Sequence, residues 1–345
     1  MNVMRRPRDH VAEARELVQR GRMAAMRGMP VEALGWYDRA LAALHGGPRT
    51  EMLADLLRWK ATAHRECGDT ATAERLYAES HDVAVEAGYT AGAAHVANCR
   101  GIVAQRRGEL SVAAELYEQS ASLAERAGEV RLGVMVLRNR GILHAIRGEW
   151  DAAVQCFQQS LELAEGMDDT DGAMRALNNI ATVEVRRRRY DVADGLYRRV
   201  LDMAHASEDA MAECICLLNR AEMFVARERL AEAELACTRA LDLATRCQDG
   251  LRRATGLKLL ARVRRERGDL TAAEAMLTEA LDLTDRSEDA LLVGEILQEK
   301  AACRNAEGDG KGARSLLGLA LELFDGMDAR PYAESVRAEL AALTR

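Results

Sequence analysis

The sequence is poor in proline and phenylalanine and has no long apolar run. Only four prolines and three phenylalanines occur among 345 residues, and no Gly/Ser-rich or low-complexity stretch separates one part from another. No run approaches the roughly 18 apolar residues of a membrane span, and no apolar stretch follows the charges at the N-terminus. We therefore expect one domain, without a membrane segment or an export signal.

Motifs of catalysis, metal binding and nucleic-acid binding are also missing. The eight cysteines contain no C-x-x-C pair and the seven histidines are scattered, so we predict reduced thiols in the cytoplasm and no metal site. No phosphate-binding glycine loop, H-E-x-x-H or G-x-S-x-G segment occurs. The sequence thus predicts a protein that is not an enzyme and needs no cofactor.

A net charge of −7 without interleaved aromatics disfavours nucleic acid as a partner. Only four of the 48 basic residues are lysine, an arginine bias that indicates a GC-rich bacterial genome.

What the sequence has instead is a period of 40 residues. Alanine recurs at this interval in eight copies: Ala33, Ala73, Ala113, Ala153, Ala193, Ala233, Ala273 and Ala313. A fixed period of this size indicates one supersecondary unit, copied along the chain, that buries its apolar face against the next copy.

Three further columns identify the unit. Before each alanine stands a small residue, which lets two helices approach closely: Gly21, Ala61, Gly101, Gly141, Ala181, Ala221, Ala261 and Ala301. One helical turn after each alanine stands an apolar residue: Tyr37, Tyr77, Tyr117, Phe157, Tyr197, Cys237, Leu277 and Leu317. Between the small residue and the alanine, six copies have a glycine, which is typical of a helix C-cap: Gly28, Gly68, Gly108, Gly148, Gly268 and Gly308. Each copy is therefore predicted to form a helix, a tight turn and a second helix.

This pattern resembles the tetratricopeptide repeat family over nearly the whole chain. The first helix carries a large residue and then a small one, as in Leu137 and Gly141, and the second carries alanine, an aromatic and a small residue, as in Ala153, Phe157 and Ser160. The period here exceeds the family's common length of about 34 residues. We therefore expect longer helices, each of about 16 residues.

The resemblance implies an all-α fold, a right-handed superhelical α-solenoid of helix-turn-helix repeats. We divide the chain into a flexible tail at 1–9, eight repeats over 10–329 and a capping helix at 330–345 that covers the open end. The eight repeats are predicted at about 10–48, 50–88, 90–128, 130–168, 170–208, 210–248, 250–288 and 290–328.

The first helices of this family line a concave surface, which we expect to be basic here. Its four columns hold nine basic and three acidic residues in a chain whose net charge is −7. Such a surface attracts an acidic partner, since arginine binds carboxylates through paired hydrogen bonds and asparagine can hold an extended backbone. The predicted partner-binding residues are Arg58, Arg65, Asn98, Gln105, Arg138, Arg175, Asn178, Thr182, Lys258, Arg262 and Arg265, with an apolar patch at Ile102, Met135 and Ile142. A merely solvated inner face has the same composition and stays open as an alternative.

We therefore predict an intracellular scaffold or adaptor that binds an acidic or extended segment of another protein. One alternative is a regulatory sensor, similar to helical-repeat receptors that bind a short signalling peptide and relay a change of curvature. Those receptors usually carry an N-terminal effector bundle, and the first repeat here begins near Val11, so we expect a separate protein to supply the output. A second alternative is self-association, with the groove of one chain receiving another chain.

Two local features give further expectations. Arg188 and Glu228 stand where other copies have glycine, so we expect the superhelix to bend differently over 186–230, because a non-glycine residue is disfavoured in the left-handed cap. The run from Arg186 to Arg189 ends a first helix, where cations suit the negative end of the dipole. We interpret this run as a solvated helix end.

Overall fold

A computed structural model describes residues 10–284 and 289–343. The predicted tail at 1–9 lies outside the described residues. Within them the regular elements are α-helices: α1 (His10–Met26), α2 (Pro30–Leu44), α3 (Glu51–Glu66), α4 (Thr70–Glu86), α5 (Thr90–Arg106), α6 (Leu110–Ala127), α7 (Val130–Ile146), α8 (Trp150–Glu165), α9 (Thr170–Arg186), α10 (Tyr190–Ala206), α11 (Ala210–Ala226), α12 (Leu230–Arg246), α13 (Gly250–Glu266), α14 (Leu270–Thr284), α15 (Ala290–Ala306), α16 (Gly310–Gly326) and α17 (Arg330–Ala342).

The helices form two compact units. Unit 1 comprises Met1–Val103 and Glu118–Glu129, and unit 2 comprises Ala104–Tyr117 and Val130–Arg345. Odd-numbered helices are the first helices of the repeats and even-numbered ones the second helices, each joined to its partner by a tight turn. This alternation confirms the predicted all-α solenoid of helix-turn-helix repeats.

Aspartates set the starts of many helices. The side chain of Asp69 accepts a hydrogen bond from the Thr72 backbone N–H at 3.1 Å, and Asp309 accepts one from Gly312 at 2.8 Å. Because the first amides of a helix have no partner within it, these caps place the start of each of these helices at its aspartate.

The small, alanine and apolar columns meet in the core. All eight alanines of the alanine column are 0% exposed, and Tyr37, Tyr77, Tyr117 and Tyr197 are buried beside them. A Cβ atom at Gly21 would stand 2.4 Å from the Tyr37 ring. The predicted close approach at the small column is therefore confirmed, because the ring occupies the space that a side chain would need.

The expectation of an altered turn at Arg188 and Glu228 is wrong. Arg188 adopts φ 59° and Glu228 φ 58°, in the same left-handed region as Gly148 at φ 79°. The backbone bonds agree too: the N–H of Arg189 donates to Glu184 O at 2.8 Å, as that of Glu149 donates to His144 O at 2.8 Å. The turn geometry thus overrides residue preference, since the hydrogen bonds and the helices on either side hold the strained residue in place.

Candidate functional site

A regular register relates the inner faces of successive first helices in unit 2. The Nζ atom of Lys258 on α13 lies 2.5 Å from Glu295 Oε2 on α15, a separation of 37 positions. The same separation joins Arg262 to Glu299, with Nε and Oε1 3.5 Å apart. Side chains at this spacing therefore face each other across the inner surface.

Arg138 on α7 and Arg175 on α9 stand in this same register. Burial and, to a lesser extent, the neighbouring charge of Arg175 together lower the pKa of Arg138 to about 10. Within the described parts of the chain, no carboxylate lies within ion-pair distance of Arg138, whereas Arg175 donates from Nε to both Asp171 oxygens at 2.8 and 2.9 Å. Arg138 thus has no carboxylate at ion-pair distance while the nearest guanidinium already holds Asp171, which leaves excess positive charge between α7 and α9.

Asn178 and Thr182 continue this face along α9. Asn178 is 5% exposed, and its Oδ1 atom accepts no hydrogen bond from the residues that the structure describes. The Thr182 hydroxyl donates to the Asn178 backbone oxygen at 3.0 Å and lies 3.2 Å from the Tyr197 hydroxyl. A buried amide oxygen without a donor is unusual, because an unsatisfied polar group costs roughly 1–3 kcal/mol.

The three predicted basic residues on α13 pair with two glutamates of α15. Burial disfavours the charge of Lys258, but Glu295 and Glu222 outweigh it and hold the pKa of Lys258 above its ordinary value. Arg265 lies 3.3 Å from Glu299, which also faces Arg262. Glu299 belongs to a column that the sequence analysis did not count, so the positive charge of this stretch is lower than the sequence suggests.

The remaining predicted residues of unit 2 lie near the α7 end of the inner face. Gln105 accepts a hydrogen bond from the Tyr117 hydroxyl at 3.0 Å. Met135 is 36% exposed, while Ile142 packs against the cluster that holds Phe157 and Val183. Of the predicted apolar patch in this unit, only Met135 therefore offers an open surface.

Sequence reasoning missed the role of Arg186. Its guanidinium lies 2.9 Å from Glu222 and stacks over the Tyr332 ring, 5.5 Å from the ring centre. Arg186 holds the pKa of Glu222 below its usual range, although burial opposes this. Arg186 therefore ends its helix with a side chain that is 36% exposed and also ion-paired, a role that the interpretation as a solvated helix end did not include. Its spacing of four from Thr182 places it on the same face of α9 as Asn178, which was the available signal.

These side chains surround a cavity of about 160 Å³ on the inner side of unit 2. Its walls include Arg186, Glu222, Lys258 and Glu295, and Tyr332 of α17 closes one side. Burial raises the pKa of Tyr332 to about 12, so its hydroxyl is protonated at neutral pH. The cavity is thus polar, internally paired and bounded by the C-terminal helix.

A family model described as tetratricopeptide repeat matches residues 134–206 and 213–286. These matches and the stacked helix pairs identify tetratricopeptide repeats over those residues. Comparison with curated protein sequences returns no match for this tetratricopeptide repeat protein.

Several solved structures share the fold. The complex of a Rap protein with Competence and Sporulation Factor has a TM-score of 0.66 at 11% identity, covering 96% of this chain and 98% of that chain. The Rap conjugation gene regulator of the plasmid pLS20, in complex with the Phr* peptide, has a TM-score of 0.67 at 15% identity, covering 83% of this chain and 79% of the other. The apo quorum sensor NprR from B. thuringiensis has a TM-score of 0.53 at 12% identity, with 98% and 100% covered. Similarity at this identity shows a common solenoid fold.

Four predicted residues of this tetratricopeptide repeat protein lie in unit 1. Arg58 donates to Asp55 at 2.7 Å and stacks over Trp59, while Asn98 is 2% exposed. Arg65 lies 3.8 Å from Glu66, and Ile102 is half-buried. Arg58 is thus locally paired, unlike Arg138 of unit 2.

The residues that the structure describes contain neither a cluster of metal ligands nor a membrane-spanning helix. Across residues 10–284 and 289–343, no three His, Cys, Asp or Glu side chains gather as metal ligands. In those ranges no helix is both long and apolar enough to cross a membrane. The eight cysteines are free thiols.

Proposed function

We propose that this tetratricopeptide repeat protein is a regulatory sensor that binds a short acidic peptide on the inner face of α7 and α9. The peptide carboxylate pairs with Arg138 and Arg175, and its backbone runs along Asn178 and Thr182. The observation that carries the proposal is the surplus guanidinium at Arg138. Arg138 stands in the same column of the repeats as Lys258. A carboxylate from the peptide therefore forms the ion pair with Arg138 that Glu295 forms with Lys258.

The amide of Asn178 supports an extended ligand. An asparagine side chain offers one acceptor and two donors, which match the N–H and C=O groups of a backbone in extended conformation. Its Oδ1 atom accepts no hydrogen bond from the described residues. A peptide N–H at this point satisfies it and removes the cost of a buried unpaired oxygen.

The similar structures favour a free peptide over a segment of a larger partner. One is a complex with the Phr* peptide, and another is called a quorum sensor. Both comparisons cover most of this chain. The adaptor that binds a protein segment remains the second candidate, because an acidic segment of a folded protein presents the same carboxylate. The free cysteines agree with action in the reducing cytoplasm.

The proposal is tested with an array of hexapeptides that carry one to three Asp or Glu residues, each paired with its Asn or Gln counterpart. We expect the wild-type protein to bind a subset of the acidic members, more weakly as salt rises. Arg138→Glu should weaken that binding at least about tenfold, because a charge-assisted hydrogen bond contributes roughly 1.5–3 kcal/mol.

The matched control is Lys311→Glu, which makes the same change of charge on the exposed surface of α16. It should bind like the wild type. Equal binding by Arg138→Glu and the wild type, with both proteins equally helical, excludes the proposed site. Failure of every acidic hexapeptide, combined with capture of longer acidic segments, favours the adaptor instead.

A further inference from the structure

The turn between α16 and α17 reaches across unit 2 to the turns of much earlier repeats. A Cβ atom at Gly108 would stand 2.2 Å from Met327 Cγ and 3.5 Å from Met327 Cβ, and one at Gly148 would stand 2.7 Å from Pro331 Cγ. Arg147 Nε lies 3.9 Å from Asp328. Glycines 108 and 148 thus receive the side chains of the α16–α17 turn, which brings the two ends of unit 2 together.

Tyr332 makes the innermost of these contacts. Its ring packs against Phe324, with ring centres 5.3 Å apart, and its hydroxyl lies 3.5 Å from Arg186 Nη2. Arg186 is 146 positions earlier in the chain. We call the segment Met327–Tyr332, together with α17, the latch.

The latch is held mainly at its N-terminal end. Along α17 the buried residues are Ala333 and Val336, whereas α15 buries Leu292, Gly294, Ile296, Ala301 and Cys303. Polar bonds from Gln298 to Ser335 at 3.1 Å and to Glu339 at 2.5 Å add to its packing on α15. Because α17 itself buries so few residues, we expect it to open at a lower free energy than the rest of the fold, with Met327 and Ala329 buried at the start of the latch.

The closed latch leaves little room for a ligand. The cavity beneath Tyr332 measures about 160 Å³, below the roughly 300–1,000 Å³ of pockets that take drug-sized molecules. The face of α9 that carries Asn178 and Thr182 continues to Arg186, two helical turns beyond Asn178, where the Tyr332 ring stacks on the partly exposed guanidinium. An extended chain on this face meets the latch.

We propose that the latch is an autoinhibitory gate: in the ligand-free protein it closes the Arg186 end of the peptide site, and it must swing away from Gly108, Gly148 and Arg186 before a peptide can lie along α9. This inference rests on the proposed function for the identity of the ligand. The closure itself does not depend on it, so closure and gating can be tested separately.

The first test needs no peptide. In the double variant Gly108→Cys/Met327→Cys, the Cβ atoms stand about 3.5 Å apart, at the near end of the disulfide range. Mild oxidation should join residues 108 and 327, as identified by peptide mapping. The matched control is Gly268→Cys/Met327→Cys, because a Cβ at Gly268 meets nothing within 4 Å. Absence of the 108–327 crosslink in a folded double variant overturns the closed latch.

Hydrogen exchange then shows whether the latch opens by itself. Amides of α17 should exchange faster than those of α9 and α11, and Tyr332→Ala should accelerate α17 alone. Tyr332→Phe keeps the ring on Arg186 and Phe324 and should behave nearly as the wild type. Exchange of α17 at the same rate as α9 and α11 means that it opens only with the whole unit, which overturns the gate.

The test of gating uses the hexapeptide of the array that binds most tightly. The oxidised, crosslinked protein should associate with it at least about tenfold more slowly than the same protein after reduction, because only the open fraction binds. An unchanged association rate overturns the gate while the peptide site stands. If no hexapeptide binds the reduced protein, the proposed function fails, and the crosslink and exchange results alone decide the latch.

Discussion

The ring of Phe157 lies on the backbone of Gly141, so that a Cβ atom at Gly141 would stand 2.5 Å from ring atom Cε1. The ring belongs to the second helix of the repeat and the glycine to the first. This contact sets how closely α7 and α8 approach. It also explains why the column of small residues and the column of apolar residues occur together in every repeat.

Gly141→Ala should lower the free energy of unfolding by about 1 kcal/mol. Forcing a methyl group against the ring costs roughly 1–3 kcal/mol, and the better helix propensity of alanine returns only up to about 1 kcal/mol. The control is Gly133→Ala in the same helix, where a Cβ meets nothing within 4 Å. That variant should be more stable by about 0.5–1 kcal/mol in urea unfolding. The reverse order of the two variants contradicts this packing.

Arg188→Gly should stabilise the protein by about 0.5–1 kcal/mol, because it removes a side chain from a left-handed backbone position. Glu228→Gly should do the same, since both residues have φ near +58°. Gly268→Ala is the opposite exchange at φ 83° with open space around it, and should destabilise by a similar amount. Thermal unfolding of the three variants checks the sign. Destabilisation by Arg188→Gly would mean that the arginine makes contacts that outweigh its backbone strain.

Arg138→Gln should leave stability unchanged or raise it by about 1 kcal/mol, because it removes a half-buried charge that lacks a carboxylate partner. Lys258→Gln should lower the unfolding free energy by about 2 kcal/mol, since it leaves Glu295 without its ion-pair partner. Urea unfolding at neutral pH separates the two. Equal losses in both variants would show that Arg138 has a structural partner and argue against a role in binding.

His95 should make unit 1 sensitive to mild acid. Burial, with a smaller effect of the Arg58 charge, lowers the pKa of His95 to about 4 in the folded protein, against about 6.5 in an unfolded chain. The unfolded state therefore binds the extra proton between these values, so stability falls as pH drops from about 6.5 to about 4 and is unaffected by His95 above that range.

His95→Gln removes this contribution and should flatten the pH dependence by about 2 kcal/mol over that interval. The measurement is the urea midpoint at several pH values between 7 and 4. His81→Gln, on the second helix α4 beside Asp82, serves as the control and should keep the slope of the wild type. A slope that His95→Gln leaves unchanged would show that His95 is protonated in the folded state.

Much of the architecture could be predicted because it repeats. Alanine, small and apolar columns recur with every copy, and each copy must bury the same face against its neighbour, so periodicity alone predicts the helix pairs and their core contacts. Capping aspartates such as Asp69 and glycines such as Gly148 act over three or four residues, a range at which sequence spacing and spatial distance coincide. The prediction that failed also concerned a local feature, the two turns without glycine. Arg188 and Glu228 show that a turn held by its flanking helices keeps its geometry without glycine.

The candidate site could be predicted only in part. The sequence by itself determined which columns face inward, and so brought Arg138, Arg175 and Asn178 onto one surface. Only the tertiary structure decided which inward-facing charges have a carboxylate partner, because Glu299 pairs with both Arg262 and Arg265 from a neighbouring helix. It also decided that Tyr332 meets Arg186. That contact spans 146 positions. It depends on the rotations of all the intervening repeats added together, and a pattern within one repeat does not predict that total.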